Sequence, residues 1–198
     1  MAVAVWSERV PPMLVVISGP PGTGKTRLAH KLARAIACPA VCRDEIKEGM
    51  VHAEDGNFTP AAGDPLTVRT FTTFFDVLRV LLSARVTVVA EAAFQDRLWR
   101  SGLEPLRDLA RLRVVHCSVD VAVARVRIAD RRAAAERGRA SHPEILDLDV
   151  LEESFAAFQR LSVAVPSIVV DTTEGYAPPL EQIVAFVNLP DEAAAEAT

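Results

Sequence analysis

The sequence lacks long apolar runs, an excess of basic residues and a cysteine framework. No apolar run approaches the length of a membrane span, and the first twelve residues, which include Glu8 and Arg9, do not have the pattern of a signal peptide. Lys and Arg number 22 against 26 Asp and Glu, and the formal net charge of -4 disfavours a nucleic-acid partner. The cysteines are odd in number and lack the spacing of metal ligands, so we expect reduced thiols at Cys38, Cys42 and Cys117. These absences predict a cytoplasmic protein without a membrane segment.

The apolar residues that are present fall in five short runs, at 13–18, 40–43, 86–90, 113–118 and 167–171. The runs are nearly continuous in Val, Ile, Leu and Ala, which is typical of parallel strands covered on both faces. Helix-like segments separate them, at 26–37, 44–54, 67–84, 96–111, 120–135, 147–162 and 179–187, with candidate N-caps at Thr67, Asp120 and Asp147. The alternation predicts one doubly wound α/β domain over residues 1–198, with a frayed tail at about 190–198.

A complete GxxxxGK[ST] phosphate loop follows the first apolar run and opens the first helix-like segment. Its residues are Gly19, Pro20, Pro21, Gly22, Thr23, Gly24, Lys25 and Thr26. In the context of strand, turn and helix, the glycines let successive backbone N–H groups converge on a β-phosphate, and the helix dipole adds to that field. We expect Lys25 to bridge the β- and γ-phosphates and the Thr26 hydroxyl to be a Mg²⁺ ligand. The motif predicts that the chain binds a nucleoside triphosphate.

Two carboxylates lie at the ends of neighbouring apolar runs, where open α/β sheets place their ligands. Asp44 follows the second run and could orient an acceptor hydroxyl and take its proton, or it could serve only as the N-cap of segment 44–54. Glu91 follows the third run, where P-loop proteins usually carry an Asp that holds the Mg²⁺ shell. It could serve the metal or contact an acceptor, or it could be a charge facing solvent.

Six arginines follow the fourth run, at Arg125, Arg127, Arg131, Arg132, Arg137 and Arg139. At 100° per residue, Arg127 and Arg131 share one helical face, whereas Arg125 and Arg132 share another. The cluster predicts a mobile lid over about residues 131–143 that brings arginines to a transferring phosphoryl group. The alternative is a solvated charged helix.

The histidines give weaker signals. His30 lies on the phosphate-loop helix and His116 within the fourth run, and both positions favour a structural role. His52 and His142 lie nearer the predicted acceptor helix and lid, where either could touch a ligand.

The phosphate loop, together with Cys42-Arg43-Asp44-Glu45-Ile46-Lys47, resembles the small P-loop kinases. That group includes chloramphenicol phosphotransferase, zeta-toxin-type kinases, gluconate and shikimate kinases and polynucleotide 5′-kinase domains. The resemblance implies a P-loop three-layer sandwich with a parallel sheet in the order 2-3-1-4-5, and ATP and Mg²⁺ as the nucleotide and the metal. It further implies that Asp44 is the base of the acceptor hydroxyl, with Lys47 as the basic residue three positions on.

The resemblance also assigns roles to the arginine cluster and to the end of the fifth run. It implies that Arg125 packs on adenine, that Arg131 or Arg132 reaches phosphate and that Thr172 lies beside the base. The function that we expect is transfer of a phosphoryl group from ATP to a hydroxyl of a small molecule. A polynucleotide or nucleotide kinase is the alternative of the same chemistry, and the acidic charge disfavours it. A nucleotide-dependent switch or ATPase subunit is the alternative of another class.

Overall fold

A computed structural model describes residues 10–53, 64–94, 96–135 and 148–190. Its five strands pair in parallel in the order β2-β3-β1-β4-β5, which confirms the predicted topology. The strands are β1 (Met13–Ser18), β2 (Ala40–Cys42), β3 (Val88–Glu91), β4 (Arg111–Ser118) and β5 (Ser167–Asp171).

Helices cover both faces of this sheet. They are α1 (Lys25–Ala35), α2 (Arg43–Ala53), α3 (Pro65–Ser83), α4 (Asp96–Leu103), α5 (Val121–Ala135), α6 (Leu148–Ala156) and α7 (Leu180–Asn188), with a 3₁₀ turn at Glu104–Leu106. Among the helices in this described part of the chain, none combines the length and the hydropathy that a bilayer crossing requires.

The central strand β1 is buried on both faces, which explains why its apolar run is continuous. Successive side chains of a strand point to opposite faces. Leu14 and Val16 therefore join the core beneath α3 and α4, whereas Val15 and Ile17 join the core beneath α1 and α7. All four are fully shielded from solvent. The loops at the carboxyl ends of the strands, where the predicted site residues lie, are thus held by a sheet with a dry layer on each side.

Several strand boundaries differ from the predicted ones. The strand predicted at 86–90 is Val88–Glu91, so Glu91 is its last residue rather than part of the loop that follows. The strand predicted at 113–118 begins two residues earlier at Arg111, which belongs to β4 because its N–H donates to the Pro12 carbonyl. The strand predicted at 40–43 ends at Cys42.

Helix ends also differ. The helix predicted at 96–111 was wrong in its second half, because α4 ends at Leu103 and the 3₁₀ turn leads into β4. The N-cap predicted at Thr67 was wrong as well, since Asp64 caps α3 by accepting the Thr67 N–H at 2.7 Å. Asp120 is confirmed as the cap of α5, because its carboxylate accepts the Ala122 N–H at 2.8 Å. Asp147, the third cap, lies outside the described residues, and the segment predicted at 147–162 ends as a helix at Ala156.

Candidate nucleotide and acceptor site

The phosphate loop turns tightly between β1 and α1, and its glycines are sterically required. Gly22 has φ 79°, and a Cβ there would lie 2.9 Å from the Cβ and carbonyl oxygen of Ala124 in α5. A Cβ on Gly19 would lie 2.5 Å from the Cys117 carbonyl oxygen in β4. Any side chain at either position would push the loop away from β4 and α5.

Within the loop, two donors converge on the carbonyl of Pro20. The Thr23 hydroxyl donates to it at 2.8 Å, and the Lys25 ammonium donates to it at 2.9 Å. The Lys25 side chain therefore curls back over the loop that its own helix follows. The ammonium is thus held against the phosphate loop, and its contact with the β- and γ-phosphates stays a prediction.

Thr26 and Glu91 meet beside the loop, as the prediction of a shared metal site requires. The Thr26 hydroxyl donates to Glu91 Oε2 at 3.1 Å, and Glu91 pairs with Ile17 of β1 on one side and with Cys42 of β2 on the other. With 2% exposure, Glu91 does not face solvent, so that alternative was wrong. A hydroxyl and a carboxylate are both oxygen ligands that suit Mg²⁺, and the pair therefore fits this ion.

The electrostatics around Glu91 favour a cation. Burial raises the pKa of its carboxyl; the Lys25 ammonium opposes that rise, and the negative charges of Asp44 and Glu45 add to it. A buried carboxylate with further carboxylates close by carries negative potential, which a bound cation would relieve.

Asp44 lies in the first turn of α2 with its side chain 53% exposed. It accepts a hydrogen bond from the Arg43 guanidinium at 3.0 Å. Because α2 begins at Arg43, Asp44 is inside the helix, and the alternative that it is only an N-cap was wrong. Asp44 comes two residues after Cys42, which pairs with Glu91 in the sheet, and its role as a base stays a prediction.

Lys47, which the resemblance pairs with Asp44, is engaged elsewhere. It is 1% exposed, and its ammonium donates to Asp64 Oδ2 at 2.9 Å and to the Thr67 hydroxyl at 2.8 Å. Burial would raise the pKa of Asp64, but hydrogen bonds from Lys47 and Thr67 lower it to about 2. Lys47 therefore fastens α2 to the start of α3, and we assign it no contact with an acceptor.

Thr172 lies directly against the phosphate loop, and Arg127 holds it there. The Thr172 hydroxyl is 2.9 Å from the Thr23 carbonyl and 3.1 Å from the Ser118 carbonyl. Arg127 donates to the Thr172 hydroxyl at 3.1 Å and to its carbonyl at 2.6 Å. Sequence reasoning assigned Arg127 no role of its own, and the only signal was the helical face that it shares with Arg131.

The remaining arginines of the cluster have no such contact with the phosphate loop among the described residues. Arg125 and Arg131 are both exposed on α5, and their nucleotide roles stay predictions. Burial raises the pKa of Glu48 on α2, the charges of Asp44 and Glu45 add to the rise, and the charges of His52 and Arg131 lower it. The side chain of Arg132 and the lid residues 136–143 lie outside the described residues.

A cavity of about 700 Å³ opens beside Thr172, between the loops that follow β4 and β5. Its lining residues are Val119, Asp120, Asp171, Thr173, Glu174 and Ala177. The base of a nucleotide on the phosphate loop is expected at this place in the sheet, at the carboxyl ends of the strands.

The family of the chain follows from a match to a family model. The model described as AAA domain (AAA_33) matches residues 14–161, which include the phosphate loop, Asp44, Glu91 and Arg127. The chain belongs to this AAA domain family. No curated protein matches it significantly.

Solved structures place this AAA domain among P-loop kinase folds. A kinase-like protein from Chloroflexus aurantiacus J-10-fl has a TM-score of 0.78 at 23% identity, covering 89% of this chain and 96% of that one. A gluconokinase from Sinorhizobium meliloti 1021 has a TM-score of 0.55 at 18% identity, covering 96% and 95%. The APS kinase CysC of Mycobacterium tuberculosis, in complex with AMPPNP and APS, has a TM-score of 0.61 at 12% identity, covering 89% and 98%. At these identities the likeness establishes a common fold.

Proposed function

We propose that this AAA domain is an ATP-dependent phosphotransferase that acts on a hydroxyl group of a small molecule. The observation that carries the proposal is the convergence of Lys25, Thr26 and Glu91 at the phosphate loop, with Asp44 two residues beyond Cys42, the residue of β2 that pairs with Glu91. A nucleotide site needs only the first three residues. An exposed carboxylate at the end of the adjacent strand is what a kinase adds in order to activate an acceptor.

Each of these residues has a distinct part in binding the substrate nucleotide. The loop N–H groups and Lys25 hold the β- and γ-phosphates, and Thr26 and Glu91 would hold Mg²⁺ directly or through its water ligands. When bound, Mg²⁺ neutralises charge on the phosphate oxygens. Thr172 and Arg127 close the loop on the side of the base.

The chemical step moves one proton and one phosphoryl group. The acceptor hydroxyl oxygen bonds to the γ-phosphorus, and the bond from that phosphorus to the β–γ bridging oxygen breaks, so that ADP leaves. The hydroxyl proton passes to the Asp44 carboxylate. Arg131 and Arg132 are the proposed sources of positive charge for the transferring group.

A small, non-polyanionic acceptor is favoured by the net charge of the protein and by the ion pair of Lys47 with Asp64. The net charge of -4 opposes a polyanionic acceptor, which counts against a polynucleotide kinase. The ammonium of Lys47 is already neutralised by Asp64, so it offers no charge to an anionic acceptor beside Asp44. The gluconokinase and the APS kinase of the same fold act on small acceptors, and because both acceptors are anions they support the size but not the charge of the acceptor proposed here.

The test is a screen of ADP release from Mg·ATP against sugars, antibiotics, nucleosides and 5′-hydroxyl oligonucleotides. The proposal expects stimulation by one class of small hydroxyl compound. ADP release stimulated only by a protein partner would instead support the switch, and stimulation only by oligonucleotides would support the polynucleotide kinase.

The role of Asp44 is tested with Asp44→Asn once an acceptor is known. The variant should lose roughly 10²–10⁴-fold in turnover, the usual contribution of a positioned proton acceptor. Its Mg·ATP affinity and melting temperature should change little, because the nucleotide lies on the other side of the transferring bond. Asp76→Asn, at an exposed position of α3, is the matched control. Turnover of Asp44→Asn within a few-fold of wild type would refute the assignment and direct attention to Glu91.

A further inference from the structure

Three side chains that commonly bind metals converge between α1, β2 and α2. His30 comes from the phosphate-loop helix, Cys42 ends β2, and Glu45 lies in the first turn of α2. His30 Nε2 is 2.6 Å from Glu45 Oε1 and 3.8 Å from Cys42 Sγ. The three ligand atoms all lie within 4.8 Å of one another.

We propose that His30, Cys42 and Glu45 bind a divalent transition-metal cation of the Zn²⁺ class, at a site separate from the Mg²⁺ site of Thr26 and Glu91. Imidazole, thiolate and carboxylate are all ligands of Zn²⁺, whereas Mg²⁺ prefers oxygen. Three protein ligands leave a fourth position for water or for another group, as in open zinc sites.

The observed separations are close to those that ligation needs. From usual bond lengths, a tetrahedral zinc site separates its S and N atoms by about 3.6 Å and its N and O atoms by about 3.4 Å. The Cys42–His30 distance of 3.8 Å already matches. The His30–Glu45 contact of 2.6 Å must open by less than an ångström, and both side chains are about half exposed, so they are free to move.

The surroundings of the thiol supply both rigidity and charge. Cys42 is buried and paired with Glu91 in the sheet, so its position is fixed. Burial raises the pKa of the Cys42 thiol, and the charges of Glu91, Glu45 and Asp44 add to the rise. The same carboxylates attract a dication, whose binding would release the thiol proton.

The position of the cluster gives the site a consequence for the phosphoryl-transfer machinery. His30 lies one helical turn beyond Thr26 on α1, and Glu45 adjoins Asp44 on α2. A bound cation would therefore tie the helix that holds the phosphates to the helix that carries the proposed base. The ligands are 12 and three residues apart in the chain and come from three elements, which is why cysteine spacing gave no sign of them.

The test uses Co²⁺ as a spectroscopic probe, on the full chain in excess Mg²⁺. The wild type should show the near-ultraviolet charge-transfer absorption of a thiolate–cobalt bond, and Zn²⁺ should abolish it by displacement. Cys42→Ser should lose the band. His30→Gln and Glu45→Gln, at half-exposed positions, should each lower the affinity for Co²⁺. The loss should be at least roughly 10–100-fold, which is the usual effect of removing a residue that only supports a metal ligand. Cys38→Ser is the control thiol and should keep the band.

Two results would overturn the proposal. One is a wild-type protein that shows no thiolate–cobalt band, or a band that survives in Cys42→Ser. The other is Co²⁺ binding that Thr26→Val abolishes while His30→Gln and Glu45→Gln leave it unchanged, since the ion would then occupy the nucleotide's own metal site. In either case His30 and Glu45 form only a hydrogen-bonded pair between α1 and α2.

Discussion

Replacing Lys47 by Met tests whether this buried lysine is structural. The substitution keeps most of the side-chain volume but removes the ammonium that bonds to Asp64 and Thr67. Removing one partner of a buried ion pair usually costs about 3–5 kcal/mol, because the other charge stays buried. Asp64 retains its hydrogen bonds from the Thr67 N–H and hydroxyl, so we expect the free energy of unfolding to fall by only about 2–3 kcal/mol.

A second substitution supplies the internal control. In the double variant Lys47→Met, Asp64→Asn the buried charge is gone, and Asn caps a helix about as well as Asp. Most of the lost stability should return, which corresponds to a coupling energy of about 1–3 kcal/mol between the two positions. Mg·ATP affinity should stay within a few-fold of wild type in Lys47→Met, in Asp64→Asn and in the double variant, because the bonds of this pair join α2 to the start of α3.

The assay is urea unfolding, with thermal unfolding as a check. For a chain of this length the loss should lower the melting temperature by roughly 5–10 °C. The pKa of Asp64 is lowered in the folded state, so the stability supplied by the pair is present above pH 3.8 and is lost as the pH falls towards about 2. A loss below about 0.5 kcal/mol at neutral pH, or one that did not shrink in acid, would refute the reasoning.

Two further predictions concern β4 and α5. Burial, with a smaller effect of Arg160, lowers the pKa of His116 to about 4, so below pH 6.5 the unfolded chain binds a proton that the folded chain does not. The free energy of unfolding should therefore fall by up to about 3 kcal/mol between pH 6.5 and 4. Urea unfolding of His116→Gln should lack this part of the pH dependence. Calorimetry of Arg127→Gln should show Mg·ATP affinity at least about tenfold weaker, because Arg127 holds Thr172 against the phosphate loop. If the exposed Arg125 packs on adenine, as the resemblance implies, Arg125→Gln should weaken that affinity about two- to fivefold.

The part of the fold nearest the phosphate loop could be predicted from the sequence, because local chemistry determines it. An apolar strand, a glycine turn and a helix are contiguous in the chain, and the positions of Lys25 and Thr26 follow from them. The pairing of Thr26 with Glu91 was also predictable, since carboxyl ends of parallel strands meet at one edge of a sheet.

Contacts between distant segments could not be predicted in the same way. Lys47 has the spacing of a residue near the acceptor, but Asp64, 17 positions away, determines where its ammonium lies. The sequence places Arg127 and Arg125 on different faces of one helix, and only the packing of α5 against the loop after β5 shows that the face of Arg127 meets Thr172. The periodicity of a sequence does not indicate which distant residues such side chains will contact.

The most direct test of the central claim is to follow the γ-phosphoryl group itself. ATP labelled on that group is incubated with Mg²⁺, the protein and the hydroxyl compound that stimulates ADP release, and the label is located after separation of the products. The account predicts that the label moves onto the acceptor in amounts equal to the ADP formed, and that Lys25→Ala forms neither product. Label found only in inorganic phosphate, or undiminished transfer by Lys25→Ala, would contradict it.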